Sequence, residues 1–333
     1  MNMQPEAKLI SIQDNRAKII EMLAELVLLP RVNALKWSAI TKQTPNIKIG
    51  YPGQHLASLI TGMAGERTGA RGNDLIDGSE VKSCSRIDQL DSCKDCEASV
   101  ARSEDVCSVC ASTNIIRRDD SKWLFTIRNE ADLKVLLEDV NRVVLLIGDY
   151  PSFIEGDYNT LRFQAFEIWT HSPRNKRFCE LMSNYYQKIY SAHKAKRPDK
   201  TPAPKNFWPF SYQFYLCNPI PTFVCLVKNA STHPEINITY YVEPATDRTN
   251  LESARMPADL LTELEMNMIL EKASKADIQR CLKKEINLAE LSLEEKKQSF
   301  DFIDETLRNY LPLRDTDHIS VAKTAYSRRT TTL

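Results

Sequence analysis

Asp74-Leu75-Ile76-Asp77-Gly78-Ser79-Glu80-Val81-Lys82 sets two carboxylates and an ammonium around an Asp-Gly pair, the strongest short-range signal for a β-hairpin. Its register decides what the segment can do. With a two-residue turn at Asp77-Gly78, Ile76 pairs with Ser79, Asp74 faces Val81, and Glu80 lies on the opposite side of the sheet. With a three-residue loop, Ile76-Asp77-Gly78, closed by Gly78 in the left-handed region, Leu75 pairs with Ser79 and Asp74 lies across from Glu80. Lys82 then shares the face of Glu80, because strand side chains alternate with period two.

Cross-strand neighbours sit about 5 Å apart. Two carboxylates so placed repel each other, and a hard divalent cation such as Mg²⁺ relieves the repulsion. Asp74 and Glu80 as Mg²⁺ ligands, with Lys82 orienting or deprotonating a water and holding a phosphate oxygen, form a minimal apparatus for phosphodiester hydrolysis. The plain alternative is a surface hairpin carrying idle charge.

The surroundings favour a ligand. Of nine glycines, seven (Gly50, Gly53, Gly62, Gly65, Gly69, Gly72 and Gly78) fall before or inside the hairpin, as expected where backbone approaches a phosphate closely. Glu66 offers a further carboxylate, and Arg67 and Arg71 offer charge for phosphates; a surface pairing of Glu66 with either arginine is the competing reading.

Cys93-Lys94-Asp95-Cys96 and Cys107-Ser108-Val109-Cys110 are two C-x2-C knuckles separated by the ten residues Glu97 to Val106. Four thiolates at this spacing are a structural zinc signal, and they leave no open coordination position for catalysis. Cys84, Cys179, Cys217, Cys225 and Cys281 lie in apolar or strand-like contexts and read as ordinary buried thiols.

The chain has 333 residues, 42% of them hydrophobic, enough for a sizeable core with appendages. No apolar run approaches a membrane span and no signal-peptide pattern opens the chain, so a cytosolic protein is expected. The net charge is zero, with 44 basic and 44 acidic residues, but the charges are segregated. From His171 to Asn206 nine basic residues stand against two acidic ones, whereas Pro257 to Thr306 holds twelve acidic against seven basic. A basic face suited to phosphates is compatible with such a neutral whole.

Periodicity predicts a helix from Asp14 to Leu29 ending at Pro30, and a second from Gln54 to Met63. Strands are expected at 122–128, 142–147, 161–169, 223–227 and 236–242, with helices at 130–140 and from Arg177 through Ile189. The aromatic run Asn206 to Tyr215 reads as strand core rather than a base-reading surface. Pro257 to Leu311 reads as amphipathic helix and the tail beyond Ser327 as unpacked. The fold class is α/β (α+β), with a mixed sheet. The expected division is an N-terminal helical segment (1–50), a core (51–92 and 111–245) interrupted by a zinc lobe (93–110), and a helical C-terminal region (246–333).

Asp74 with Glu80-Val81-Lys82 resembles the PD-(D/E)XK nuclease superfamily, with Asn73 where the motif's proline often stands. The run Gly65-Glu66-Arg67-Thr68-Gly69-Ala70-Arg71-Gly72-Asn73-Asp74, through Glu80-Val81-Lys82-Ser83-Cys84 and on to the double C-x2-C, resembles the MamI type of type II restriction endonuclease over roughly residues 50 to 170. The resemblance implies Mg²⁺-dependent, sequence-specific cleavage of double-stranded DNA by a homodimer, with Asp74, Glu80, Lys82 and Glu66 catalytic. DNA contacts are expected at Arg67, Arg71, Ser83 and Arg86. A non-catalytic zinc-ribbon DNA-binding or scaffold protein, and a structure-selective repair nuclease, are the alternatives.

Overall fold

The first helix does not stop at Pro30. In the computed structural model, which describes residues 3–45, 49–67, 73–315 and 317, α1 (Asn15–Leu23) continues through a π turn at Ala24–Leu28 into α2 (Leu29–Thr41). Pro30 falls in the first turn of α2, where the ladder is already interrupted and its missing N–H removes no α-helical bond. The rod is bolted to the body by buried Arg31, whose Nε and Nη2 donate to Asp88 at 2.7 and 3.0 Å. α3 (Gly50–Thr61) starts earlier than expected and ends on Gly62 at φ +70°.

After a tight turn, β1 (Ser79–Ser85) enters the main sheet. A small insertion follows, built on β2 (Asp91–Cys93), β3 (Ser99–Val100) and β4 (Ile115–Ile116) in the order β3-β2-β4. β5 (Trp123–Phe125) and α4 (Glu130–Lys134), extended by a π turn to Asp139, lead into β6 (Arg142–Asp149). Then come β7 (Leu161–Trp169), a helical stretch of α5 (Lys176–Asn184), a π turn and α6 (Ser191–Lys196), and β8 (Lys205–Phe207), which pairs with β5. α7 (Tyr212–Leu216), β9 (Ile220–Lys228) and β10 (Glu235–Tyr241) complete the core. Among the described residues beyond 246 there are four short α-helices: α8 (Glu263–Lys272), α9 (Lys275–Arg280), α10 (Leu293–Ser299) and α11 (Glu305–Arg308).

The main sheet is mixed, in the order β1-β6-β7-β9-β10. β1 runs parallel to β6, and the remaining pairs are antiparallel. β6 is buried along its whole length, and its side chains alternate between two cores. Val143, Leu145 and Ile147 pack with α5, α7 and the C-terminal helices, whereas Val144 and Leu146 pack with α1 and α3. Each fully buried aliphatic side chain of this kind stabilises the fold by about 1.5–3 kcal/mol. The aromatic run 206–215 belongs to the first core, as expected, but only Lys205–Phe207 is strand and Tyr212–Leu216 is helix. Ser211 caps that helix, its side chain accepting from the Phe214 N–H, so local capping overrides the β preference of the aromatics.

Candidate active site and metal centre

Glycine 78 closes the turn before β1. Its φ is +84°, its N–H donates to Leu75 O at 3.0 Å, and Leu75 N–H donates to Ser79 O at 3.1 Å. These are the bonds of the three-residue loop Ile76-Asp77-Gly78. The arm before it is short, reaching regular pairing only at Leu75 against Gly65, while β1 takes its main partner in β6. The turn is pinned from the start of β6. Asn141 Nδ2 donates to Asp77 O at 2.8 Å, Asn141 N–H donates to Gly78 O at 2.9 Å, and Arg142 reaches the Asp77 carboxylate at 2.5 Å. A Cβ on residue 78 would meet Asn141 Nδ2 at 2.6 Å, so glycine is needed for space as well as for φ.

Arg142 is itself buried and lies in a polar network that sequence reading did not find. It bonds Ser79 Oγ at 2.9 Å and Glu167 at 3.1 Å, and Glu167 also takes Arg248 at 3.3 Å and Trp169 Nε1 at 2.9 Å. Burial works against the Glu167 carboxylate, but the guanidiniums of Arg248 and Arg142 outweigh it and hold its pKa below the usual range.

Past this turn, Asp74 curls over the free edge of β1. Its Oδ2 accepts the Val81 N–H at 2.7 Å, and its Oδ1 accepts Gln54 Nε2 at 2.7 Å from α3. Gln54 is the functional-site residue that the sequence did not announce. The available clue was Gly53: a Cβ there would lie 2.0 Å from Ser83 Oγ and 3.0 Å from Ser83 Cβ, so the glycine lets α3 lie directly on β1 and brings Gln54 to the edge.

Glu80 and Lys82 project together from β1, with Lys82 Nζ 2.5 Å from Glu80 Oε1 and 5.7 Å from the centre of the Phe125 ring. Both are largely shielded. Burial raises the pKa of Glu80, the adjacent Lys82 opposes the rise, and the negative charge of Asp74 adds to it. Glu80 and Lys82 line a cleft of about 600 Å³ whose other walls include Asn73, Arg128, Asn129 and Asp132. Glu80 and Lys82 lie in this cleft and the Asp74 carboxylate lies on the adjoining edge of β1, at the Val81 N–H; together they offer oxygen donors of the kind a hard divalent cation takes. Such a cation typically takes one or two carboxylates and completes its shell with water and substrate phosphate.

The other expected residues are scattered. Glu66 and Arg67 are exposed, and Glu66 N–H donates to Asp74 O at 2.9 Å, so the segment follows the Asp74 strand edge. Arg71 lies outside the described residues. Ser83 points to the opposite face of β1 from Glu80, against α3, and its Oγ is buried. Arg86 is fully buried, donates to Ser121 O at 3.0 Å, and has its pKa lowered by desolvation against the pull of Asp119. Arg86 therefore does not face solvent, whereas half-buried Ser83 lines a second surface pocket with Ser85 and Gln89.

In the insertion the four cysteines converge, with all sulfurs within 4.8 Å of one another, Cys93–Cys110 at 3.5 Å and Cys96–Cys107 at 3.6 Å. Four thiolates around tetrahedral zinc, at about 2.3 Å each, require sulfur separations of about 3.8 Å. The cluster therefore fits zinc. Backbone N–H groups of Cys110 and Val109 aimed at the Cys107 sulfur bring its pKa down to about 7, while the hydrogen bonds that Cys96 and Cys110 share with their fellow thiols raise theirs. The lobe is tied down by buried Asp91, which accepts from Arg102 at 2.8 Å, Arg117 at 2.9 Å and the Arg118 N–H at 2.6 Å. The Arg102 guanidinium in turn lies 4.9 and 4.8 Å from the ring centres of Phe153 and Tyr158. The remaining five cysteines are free, four of them buried and Cys179 partly so.

No helix among the described residues is long and apolar enough to cross a membrane. A model of the MamI restriction endonuclease family matches residues 36–259. Over 56 residues, 17% of this chain and 18% of the relative, the sequence is 41% identical to the type II restriction enzyme MamI of Microbacterium ammoniaphilum. The aligned part thus spans less than a fifth of that curated relative. No solved structure matches the chain.

Proposed function

The chain belongs to the MamI restriction endonuclease family, and from that premise we propose that it is a type II site-specific deoxyribonuclease, cutting double-stranded DNA in a Mg²⁺-dependent reaction with the PD-(D/E)XK arrangement of Asp74, Glu80 and Lys82. The observation that supports the reading is the three-residue turn together with the hydrogen bond of Asp74 to the Val81 N–H, the residue between Glu80 and Lys82 on β1.

Bound Mg²⁺ would supply charge relief at the phosphodiester and a more acidic water. Asp74 and Glu80 would hold it. Two hydrogen bonds, from Gln54 and from the Val81 N–H, orient the Asp74 carboxylate before any ligand arrives. Lys82 keeps one N–H on Glu80 and has further donors to orient the attacking water and hold a non-bridging phosphate oxygen. Exposed Glu66 is a candidate further carboxylate and Arg67 and Arg71 candidate phosphate contacts, all on the segment that leads into Asp74.

Cys93, Cys96, Cys107 and Cys110 would hold structural zinc, in a cytoplasm that keeps thiols reduced. A palindromic site calls for two chains related by a two-fold axis. The test is a digest of a sequenced plasmid with and without Mg²⁺, run beside Lys82→Ala. Discrete Mg²⁺-dependent fragments that disappear in the variant, with DNA binding retained, are expected. Binding without cleavage by the native protein would favour a non-catalytic DNA-binding protein, and cutting that follows DNA structure rather than sequence would favour a repair nuclease.

A further inference from the structure

The outer side of the N-terminal rod carries an apolar stripe that no described residue of the chain covers. Leu26, Leu29, Trp37 and Ile40 are 44, 57, 59 and 65% exposed, whereas Val27, Leu28 and Arg31 between them are buried against the body. The four recur at three- and four-residue intervals, or multiples of them, and so lie along one side of a helix. Exposed large apolar residues elsewhere, such as Val109, Ile154 and Leu264, are far apart in the sequence.

The spacing has an internal symmetry. Leu26 and Leu29 stand seven and four residues before exposed Asn33, and Trp37 and Ile40 stand four and seven after it. Turning the helix end over end about Asn33 therefore lays the stripe on itself: Leu26 meets Ile40, Leu29 meets Trp37, and Asn33 meets Asn33. Within residues 24–42, the stretch such a pair spans, the exposed charges have the matching polarity, with Glu25 before Asn33 and Lys36 and Lys42 after it, while exposed Arg16, Lys18 and Glu21 lie outside that stretch. An antiparallel pair sets the acidic half of one copy beside the basic half of the other, whereas a parallel pair sets like against like.

From this pattern we propose that the stripe is the contact between two copies of this chain, packed as an antiparallel helix pair with the two-fold axis beside Asn33. Two-fold interfaces are isologous, and a surface that complements itself is what such symmetry demands. Large side chains bury about 150–250 Å² each, so four that are about half exposed provide roughly 400 Å² per copy before flanking residues are counted, half of the about 800 Å² per partner of a standard interface. Asn33 at the centre would satisfy its amide against its mate and set the register, as a lone buried asparagine does in helix pairs. The proposal depends on the nuclease reading only for the reason two chains are wanted; the surface argument stands apart from it.

Sedimentation of the full zinc-loaded chain over a range of concentrations, together with site-directed cross-linking, tests it. The native chain is expected to be a dimer, and Trp37→Glu to raise the dimer dissociation constant by about 30-fold or more. The melting temperature of the dissociated chain should hold, since Trp37 is exposed. Under mild oxidation Asn33→Cys should link to itself, as confirmed by mass mapping of the joined peptide. Leu26→Cys should not link to itself but should link to Ile40→Cys when the two proteins are mixed.

A native chain that stays monomeric, a dimer untouched by Trp37→Glu, or self-linking at residue 26 as efficient as at residue 33 would overturn the proposal. Plasmid cutting read on the same samples keeps the two readings apart. A cutting monomer removes the interface and leaves the nuclease, and a dimer with the expected cross-links that does not cut does the reverse.

Discussion

The cysteine lobe and the β1 cleft are the two candidate metal sites, and they are built in opposite ways. In the lobe every ligand comes from an eighteen-residue stretch, and two knuckles bring the sulfurs within 4.8 Å of one another around three very short strands. At the cleft, Asp74, Glu80 and Lys82 are also close in sequence, but their positions are set from afar: Asn141 and Arg142 hold the turn, and Gln54 holds Asp74. A local site depends on its ion for folding, and a site on a sheet edge depends on the core. Perturbations should separate the two.

The largest expected effect is on the lobe. Metal binding to small thiolate sites is worth about 10–16 kcal/mol in apparent terms, and most of it is folding energy. Chelation, or Cys93→Ser with Cys107→Ser, should abolish hydrogen-exchange protection from 91 to 117 while the sheet amides of β6 and β7 stay protected. A lobe that keeps its protection without metal would show that Asp91, Arg102 and Arg117 alone hold it.

At the cleft, Glu80→Gln should lower the cleavage rate by on the order of 10²–10⁴-fold, the range for loss of a group acting directly on the chemistry, with little change in melting temperature. The pH dependence has a defined sign. Burial and Asp74 raise the pKa of Glu80, so protons compete with a cation up to a higher pH than at an ordinary glutamate. Apparent Mg²⁺ affinity should therefore fall as the solution is acidified through that raised pKa. Without metal the trend reverses: the stability owed to protonated Glu80 is full below its unfolded pKa and is lost as pH rises through the folded one. Melting curves without added Mg²⁺ across this window, less steep for Glu80→Gln than for the native chain, check the second sign, and Mg²⁺ titrations of cleavage at several pH values check the first.

What could be read in advance follows the same division. The lobe, the buried strand at 142–147 and the left-handed Gly78 depend on residues near one another in the chain, and spacing, apolar runs and turn chemistry report such features. The three-residue loop was one of two registers that Asp77-Gly78 allows; the choice rests on Asn141 and Arg142, some sixty residues on. Pro30 inside a continuous rod and Ser211 nucleating a helix within an aromatic run are cases where a π turn or a cap outweighs propensity. Arg86, which reads as a DNA contact by position, is drawn into the interior beside Asp119 and Ser121.

Gly53→Ala examines how closely α3 must lie on β1. Alanine gains about 0.8–1.0 kcal/mol of helix propensity over glycine, but its Cβ would stand 2.0 Å from Ser83 Oγ and 3.0 Å from Ser83 Cβ. Rotating the hydroxyl away relieves the first contact and leaves the second, so α3 or β1 has to move, at about 1–3 kcal/mol. Net destabilisation in urea melts is expected, with partial recovery when Ser83→Gly is added. A stabilised Gly53→Ala protein would mean that the helix sits further from the strand.

Gln54→Leu should have the smallest effect and say most about the contrast. The variant keeps the helix preference of residue 54 and removes one N–H donor from Asp74 Oδ1, leaving the Val81 N–H on Oδ2. One hydrogen bond to a charged group is worth about 1.5–3 kcal/mol, and since Asp74 keeps its second donor the lower end applies, a roughly tenfold loss. The loss should appear as weaker apparent Mg²⁺ affinity, with the maximal rate approached at higher Mg²⁺, and Gln54→Glu should not restore it, because a second carboxylate there would repel Asp74. Unchanged Mg²⁺ dependence in Gln54→Leu would mean that Asp74 is oriented by β1 alone, and the cleft would then be nearly as local a construction as the lobe.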